Sequence, residues 1–214
     1  MPPANHDQGP ATKTGIGILG GSFNPPHRTH LRLARTALLH LPIREVRAIP
    51  AGDHPHKRAL DMAPAKDRLA MCRLQFAGEP GVVVDDREVR RQGPSFTVDT
   101  LAELAAEHPH CPLFFLIGSD NLPLLPTWRD VHGIFARCTV VTWPRAGHPI
   151  DRAQVDALPL HPDERASLLA HVLPLAADAI AASDLRRRWQ QGERELPELL
   201  PAVRDYLAAH GLYR

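Results

Sequence analysis

Cysteine is scarce in this sequence: Cys72, Cys111 and Cys138 are the only three, far apart and odd in number. No CxxC occurs, which removes a disulfide framework and a zinc knuckle and leaves reduced core residues in a cytoplasmic protein as the expectation. An excess of either charge is missing too, since 25 Lys and Arg face 24 Asp and Glu for a formal net charge of +1. That balance favours neither a long nucleic acid nor an anionic membrane as partner. No apolar run reaches the roughly 18 residues needed to span a bilayer. The opening residues 1–14 are polar, with Pro and Gly, and contain no signal-peptide apolar core. They read as a flexible lead-in, leaving 15–214 as a single domain. The Walker spacing G-x-x-x-x-G-K-[ST] is absent as well.

What is present is an alternation of short apolar runs with helical patterns, the mark of an α/β fold around a parallel sheet. Strands are predicted at Gly15–Leu19, Glu45–Ile49, Val82–Val84, Leu113–Ile117 and Thr139–Trp143, with a short one near Val172–Leu175. Helices are predicted at His30–His40, Lys66–Phe76 and Val98–Ala106, the last capped by Thr97. Residues 151–170 are polar and helical, broken near Pro159–Pro162, and read as a surface insertion. Ser183–Gln190 and Leu196–His210 follow as closing helices over 183–214, with Gly211 as the stop. The expected architecture is a Rossmann-like, doubly wound parallel sheet with helices on both faces and a small C-terminal helical segment.

Gly15-Ile16-Gly17-Ile18-Leu19-Gly20 matches G-x-G-x-x-G, but in the wrong place. A dinucleotide fingerprint follows a strand and opens a helix, whereas these glycines fall inside what must be the first strand. The following turn, Gly20-Gly21-Ser22-Phe23-Asn24-Pro25-Pro26, is more informative: its glycines suit tight geometry and close ligand approach, and its prolines stiffen it. His27 and His30 are three apart, which places two imidazoles on one face at a helix N-terminus, where free N–H groups and the dipole favour an anion. The pattern fits a phosphate clamp; one His capping the helix with the other merely exposed, and a metal site lacking a nearby carboxylate or cysteine, are the other readings.

GGSFNPPHRTH resembles the [ST]-F-[DN]-P-x-H-x-x-H signature of the nucleotidylyltransferase superfamily. Further segments resemble, in the same order, the bacterial nicotinate mononucleotide adenylyltransferases. They are Ile49-Pro50 through His56-Lys57, Pro94-Ser95-Phe96-Thr97, Ile117-Gly118-Ser119-Asp120 with Pro126-Thr127-Trp128, Ile180 to Arg186, and the ending Gly211-Leu212-Tyr213-Arg214. The resemblance covers essentially everything after residue 14.

It implies transfer of AMP from ATP to nicotinate mononucleotide, with Mg²⁺ held mainly by the ATP phosphates, and leaves monomer and homodimer both open. By this resemblance His27, His30 and Arg186 are catalytic, and ATP is bound by them with Gly20, Gly21, Ser22, Phe23, Gly118, Asp120, Ile180 and Ser183. Asp120 would take ribose hydroxyls, or cap a helix. The mononucleotide would meet His56, Lys57, Thr97, Trp128, Arg129 and Arg145, with Trp128 stacked on the pyridine ring or filling core. Three places depart from the pattern, one being the loop Ala51-Gly52-Asp53-His54, which lacks the Asn and Pro seen in many relatives. Thr29 stands where Gly is usual before the second His, so that its Cβ crowds a phosphate or its hydroxyl caps the helix. Ala181-Ala182-Ser183 keeps one hydroxyl of a hydroxyl-rich motif.

Overall fold

The computed structural model describes residues 13–52 and 62–214. Among them β1 (Gly15–Gly21), β2 (Ile43–Pro50), β3 (Val82–Val84), β4 (Leu113–Gly118) and β5 (Thr139–Trp143) form one parallel sheet in the order β3-β2-β1-β4-β5. The helices are α1 (Arg28–His40), α2 (Ala65–Gln75), α3 (Arg87–Arg90), α4 (Thr97–Glu107), α5 (Val131–Arg137), α6 (Arg152–Asp156), α7 (Pro162–Ala170), α8 (Ala182–Gln190) and α9 (Pro201–Ala209).

β4 shows why the sheet is covered on both sides. Its six residues, LFFLIG, are all buried. Because strand side chains alternate between faces, Leu113, Phe115 and Ile117 enter one cluster with residues of α4, α5, α6 and α7, while Phe114 and Leu116 enter another with α1 and α2. The glycines of β1 are sites of close packing. A Cβ on Gly15 would lie 2.8 Å from the Phe114 ring, and one on Gly17 would lie 2.9 Å from the Ile43 side chain. The GxG spacing is therefore a strand feature. A third cluster joins Met71 of α2 to Leu185 and Trp189 of α8 and Val203 and Leu207 of α9, fixing the C-terminal helices against the sheet's α2 side.

Several expectations need correction. Residues 151–170 are no surface insertion: Val155, Leu160 and Leu168 are buried in the main cluster, and α7 packs on β5. Their polar residues face solvent and mask a thin apolar stripe. Near Val172 the chain makes a single parallel bridge with Thr142 rather than a strand. Leu196–His210 is helical only from Pro201, because Pro197 and Pro201 remove two amide donors and disfavour helical backbone before them. Thr97 does not cap α4; it is the helix's first residue, after Phe96 in extended backbone. Ser183 likewise lies inside α8, which starts at Ala182. Among the described residues no helix is long and apolar enough to cross a membrane.

Candidate active site

In an open α/β sheet, ligands bind beyond the carboxyl ends of the strands, where the strand order reverses. Here that point lies between β1 and β4, and a cavity of about 570 Å³ opens there, of a size suited to a small organic ligand. Gly20, Gly21, Ser22, Phe23, His27, His30, Thr97, Gly118, Asp120, Trp128, Arg129 and Arg145 all line it. One fold thus gathers residues spread over more than a hundred positions of sequence.

The turn after β1 works differently from the glycine-based expectation. Gly20 and Gly21 are the last residues of the strand, and Phe23 takes the left-handed conformation, at φ 46°. Phe23 tolerates this because its ring is fixed in the core, 6.3 Å from that of Phe76 and 4.8 Å from that of His30. A Cβ on Gly20 or Gly21 would meet only ordinary contacts, at 3.5 Å from Phe115 and 3.6 Å from Phe23. Their bareness keeps backbone exposed to the cavity.

His27 is the residue that caps α1, and His30 is the third residue inside it. The His27 backbone N–H donates to His30 Nδ1 at 3.1 Å, and the two rings stand 4.0 Å apart. His27 Nδ1 is buried and has no hydrogen-bond partner among the described residues. Burial, then His30, then Arg145 hold the His27 imidazole well below its usual proton affinity. Burial also takes His30 down to about 4, against the raising effect of its bond from His27. Both rings are therefore neutral at pH 7 in the unliganded chain, with the N-terminus of α1 beside them.

Arg145 follows β5. Its guanidinium donates to the Ile180 carbonyl at 2.8 Å and to Asp178 Oδ1 at 3.3 Å, and its backbone N–H donates to Ser119 Oγ at 2.8 Å. Asp120 lies 3.9 Å from the same guanidinium and accepts from Asn121, in a short 3-10 turn in which it caps nothing. A Cβ on Gly118 would displace the Asp120 carboxylate and lie 3.1 Å from the Arg145 side chain, so glycine leaves room for both. At the far end Trp128 is half-buried, its ring edge-on to Phe115 at 6.0 Å. Arg129 lies over the Phe96 ring and pairs with Asp99 at 3.2 Å. Trp128 packs against the core cluster and also lines the cavity.

Ile180, Ser183 and Arg186 do not line the cavity; Ala182 does so in their place. Ser183 is exposed. Arg186 is half-buried, donates to the Asn24 carbonyl at 2.8 Å and reaches the cavity wall through that residue. His56 and Lys57 lie outside the described residues. Thr29 does not cap the helix with its side chain: its hydroxyl donates to Asp178 Oδ2 at 2.7 Å. Sequence reasoning missed Asp178, Asn24, Glu88 and Arg68. Glu88 lines the cavity beside Thr100, whose hydroxyl donates to it at 2.6 Å; burial pushes its carboxyl upward in pKa. Asn24 stands at the [DN] position of the signature turn without having been given a role, whereas no local motif marks Asp178, Glu88 or Arg68, whose partners include residues distant along the chain.

Among the described residues His132, His161 and Glu164 bring three potential metal-ligand atoms within 4.8 Å of one another, yet none lines the cavity. Glu164 pairs with the His132 ring at 2.8 Å and accepts from the His161 backbone N–H. These groups sit at the starts of α5 and α7, where the helix ends favour the carboxylate over a cation. The cavity itself offers no carboxylate cluster among the described residues, only Asp120 beside Arg145 and Glu88 bonded to Thr100.

A parallel sheet that opens at its switch point onto two imidazoles and a helix N-terminus is the arrangement of an α/β protein suited to a phosphate-bearing ligand. Sequence comparison agrees: the Cytidylyltransferase-like family matches residues 18–188. A protein of Laribacter hongkongensis named "Probable nicotinate-nucleotide adenylyltransferase" is 39% identical over 215 residues, covering 94% of this chain and 96% of its own. One of Aeromonas salmonicida with the same name is 38% identical, covering 94% and 98%. The chain therefore belongs to the Cytidylyltransferase-like family and, within it, to the nicotinate-nucleotide adenylyltransferases. The fold is shared with Plasmodium falciparum nicotinic acid mononucleotide adenylyltransferase complexed with NaAD, at a TM-score of 0.75 and 18% identity over 94% of this chain and 97% of that one.

Proposed function

We propose that this chain transfers the adenylyl group of ATP to nicotinate mononucleotide, releasing pyrophosphate and forming nicotinate adenine dinucleotide. The observation that carries the reading is the buried His27 imidazole, whose Nδ1 has no hydrogen-bond partner among the described residues, tilted against His30 at the N-terminus of α1 and lining one cavity with Trp128 and Thr97. An oxygen of the mononucleotide 5′-phosphate attacks the α-phosphorus of ATP. The bond from that phosphorus to the bridging oxygen breaks, and pyrophosphate leaves with the electron pair. The nucleophile is already anionic, so no general base is required. The work is positioning and neutralisation of charge.

His27 and His30, the N-terminal amides of α1 and the Arg145 guanidinium supply that neutralisation, with Arg186 held on the Asn24 carbonyl as a further cation for the triphosphate. Gly20 to Phe23 give backbone close to the phosphates; Gly118 and Asp120 take the ribose, and Ala182, the residue of the 180–183 segment that lines the cavity, borders the adenine. Among the described residues the cavity wall carries no carboxylate cage, so Mg²⁺ would be held mainly by the ATP phosphates, as suits an ion that keeps most of its water. At the other end Trp128 stacks on the pyridine ring while the Thr97 hydroxyl and the Arg129 amide read its carboxylate. Donors aimed at an anion favour the acid over the neutral amide. His56 and Lys57 complete the mononucleotide end. The reaction belongs to NAD biosynthesis, and a cytoplasmic location suits it.

The test is pyrophosphate release from ATP and Mg²⁺ with nicotinate mononucleotide, nicotinamide mononucleotide or phosphopantetheine offered separately. Release with the nicotinate compound, and far less with the other two, is the expected outcome. Equal rates with acid and amide would remove the carboxylate-reading role, and no release with any would refute the activity.

The neutral imidazoles predict a pH signature. The unfolded chain binds protons near the ordinary histidine value of about 6.5, but in the folded chain His30 does so only near 4 and His27 lower still than its usual range. The unfolded state thus holds more protons between those values, and stability falls as pH drops through that window. A bound polyphosphate reverses the preference by favouring the charged rings. ATP binding is therefore expected to take up protons, more at pH 6 than at pH 8. Calorimetry in buffers of different ionisation enthalpy reads this directly, and heats independent of buffer would contradict it.

A further inference from the structure

Thr29 replaces the glycine usual at its place in the signature, and its hydroxyl has found an acceptor 149 residues away. That acceptor, Asp178, is a small node. Oδ2 accepts from Thr29 Oγ1 at 2.7 Å and from Arg32 at 3.1 Å, both on α1. Oδ1 accepts from Arg145 at 3.3 Å and from the Ile180 backbone N–H at 3.3 Å. Three parts of the site thus meet on one carboxylate: the helix that carries His27 and His30, the arginine after β5, and the segment leading into α8. Only 14% of the Asp178 side chain is exposed and 17% of that of Arg145, so solvent screens this pair far less than a surface ion pair.

We propose that Asp178 is a positioning residue for adenylyl transfer, holding the Arg145 guanidinium and the first turn of α1 in one fixed relation. Asp178 does not line the cavity, whereas Thr29 and Arg145 both do. It acts through them. An arginine carries many rotamers, and a guanidinium bonded only to the Ile180 carbonyl would sample several. With Asp178 as second acceptor it has one orientation, and α1 is tied to the same atom group through Thr29. Charge supports the geometry: Arg145 makes His30 harder to protonate and Asp178 makes it easier. Among the groups facing His30, which include His27, Asp178 is thus the one that offsets the arginine's repulsion. In this chain Thr29 supplies a tether that glycine cannot.

The inference rests on the adenylyl-transfer reading, and the full-length wild-type chain in the same pyrophosphate assay separates the two. Asp178→Asn is expected to lower kcat about tenfold or more, since small misplacements of catalytic groups carry losses of that order. The KM for the mononucleotide should change less than kcat, because Trp128 and Thr97 hold its ring end away from Asp178 and, among the described residues assigned to it, only Arg145 touches the tether. Thr29→Val, which keeps the shape and removes the donor, should lose activity in the same direction. Thr29→Ser should retain it. The double variant Asp178→Asn/Thr29→Val should be no worse than Asp178→Asn alone, because both remove the same tether. Thermal melts fix the folded fraction, so a fall in activity that tracks unfolding alone, or Thr29→Ser as poor as Thr29→Val, overturns the proposal. Wild-type turnover with an Asp178→Asn variant unchanged in kcat overturns it as well, while a wild-type chain that releases no pyrophosphate overturns the underlying reading and this inference with it.

Discussion

His27→Ala is expected to reduce turnover by about a hundredfold or more while leaving the protein folded, the scale of loss found when one preorganised electrostatic donor is removed. The two halves of that expectation have separate structural causes. His27 Nδ1 makes no hydrogen bond among the described residues, and the His30 N–H that the ring faces at the head of α1 keeps the His27 carbonyl as its acceptor after truncation. The imidazole does pack against His30 at 4.0 Å, and the lost contact will lower stability by only about 1 kcal/mol, typical of a modest truncation. The backbone of His27, whose N–H meets His30 Nδ1 and whose carbonyl accepts from the His30 N–H, is untouched by the substitution. Pyrophosphate release and a thermal melt on one preparation decide the matter. Near wild-type kcat in a folded variant would refute the assigned role, and an unfolded variant would show that the imidazole is chiefly structural.

Arg68→Met is expected to have the largest effect on stability, about 3–5 kcal/mol, because three carbonyl oxygens lose a charged donor and an unsatisfied buried acceptor costs about 1–3 kcal/mol. Arg68 is among the largest fully buried side chains, with 2% exposure. Its Nε donates to the Ala63 carbonyl at 3.0 Å, and its terminal nitrogens donate to Ser22 at 2.8 Å and Gly52 at 3.0 Å. One guanidinium therefore joins the turn after β1 to the residues after β2 and before α2. Methionine matches the stem but leaves three carbonyl oxygens without this donor in a place water reaches poorly. Urea unfolding of the variant and the wild type gives the difference. A change under about 1 kcal/mol would mean that the carbonyls find other partners, because unsatisfied buried groups carry a larger penalty than that. Activity should fall in parallel, because the Ser22 carbonyl belongs to the backbone that lines the cavity.

These two residues also mark how far the chain could be read before its fold was known. His27 was legible, since the HxxH spacing, the prolines and the preceding strand lie within a dozen residues and their chemistry is local. Arg68 was not: in α2 it is one charged residue among several, in a segment whose neighbours Lys66 and Asp67 look alike in sequence. Lysine and arginine are exposed in most helices, and only the closing of two loops over this one makes it a buried hub.

The sequence by itself determined the parallel sheet, the strand setting of Gly15 and Gly17, and the turn that presents His27 and His30, because period-two burial and turn chemistry act between near neighbours. Tertiary structure alone decided that Phe23 rather than a glycine takes the left-handed turn, supported by Phe76 and His30. It alone buried Val155 and Leu168 of the polar stretch 151–170 and moved Ser183 away from the cavity it was expected to line. It alone turned Thr29, a departure from pattern, into a donor to Asp178. The physical reason is common to all of these. Local pattern sets which backbone forms, whereas a side chain's partner depends on where distant elements come to rest, and packing rather than sequence distance selects it.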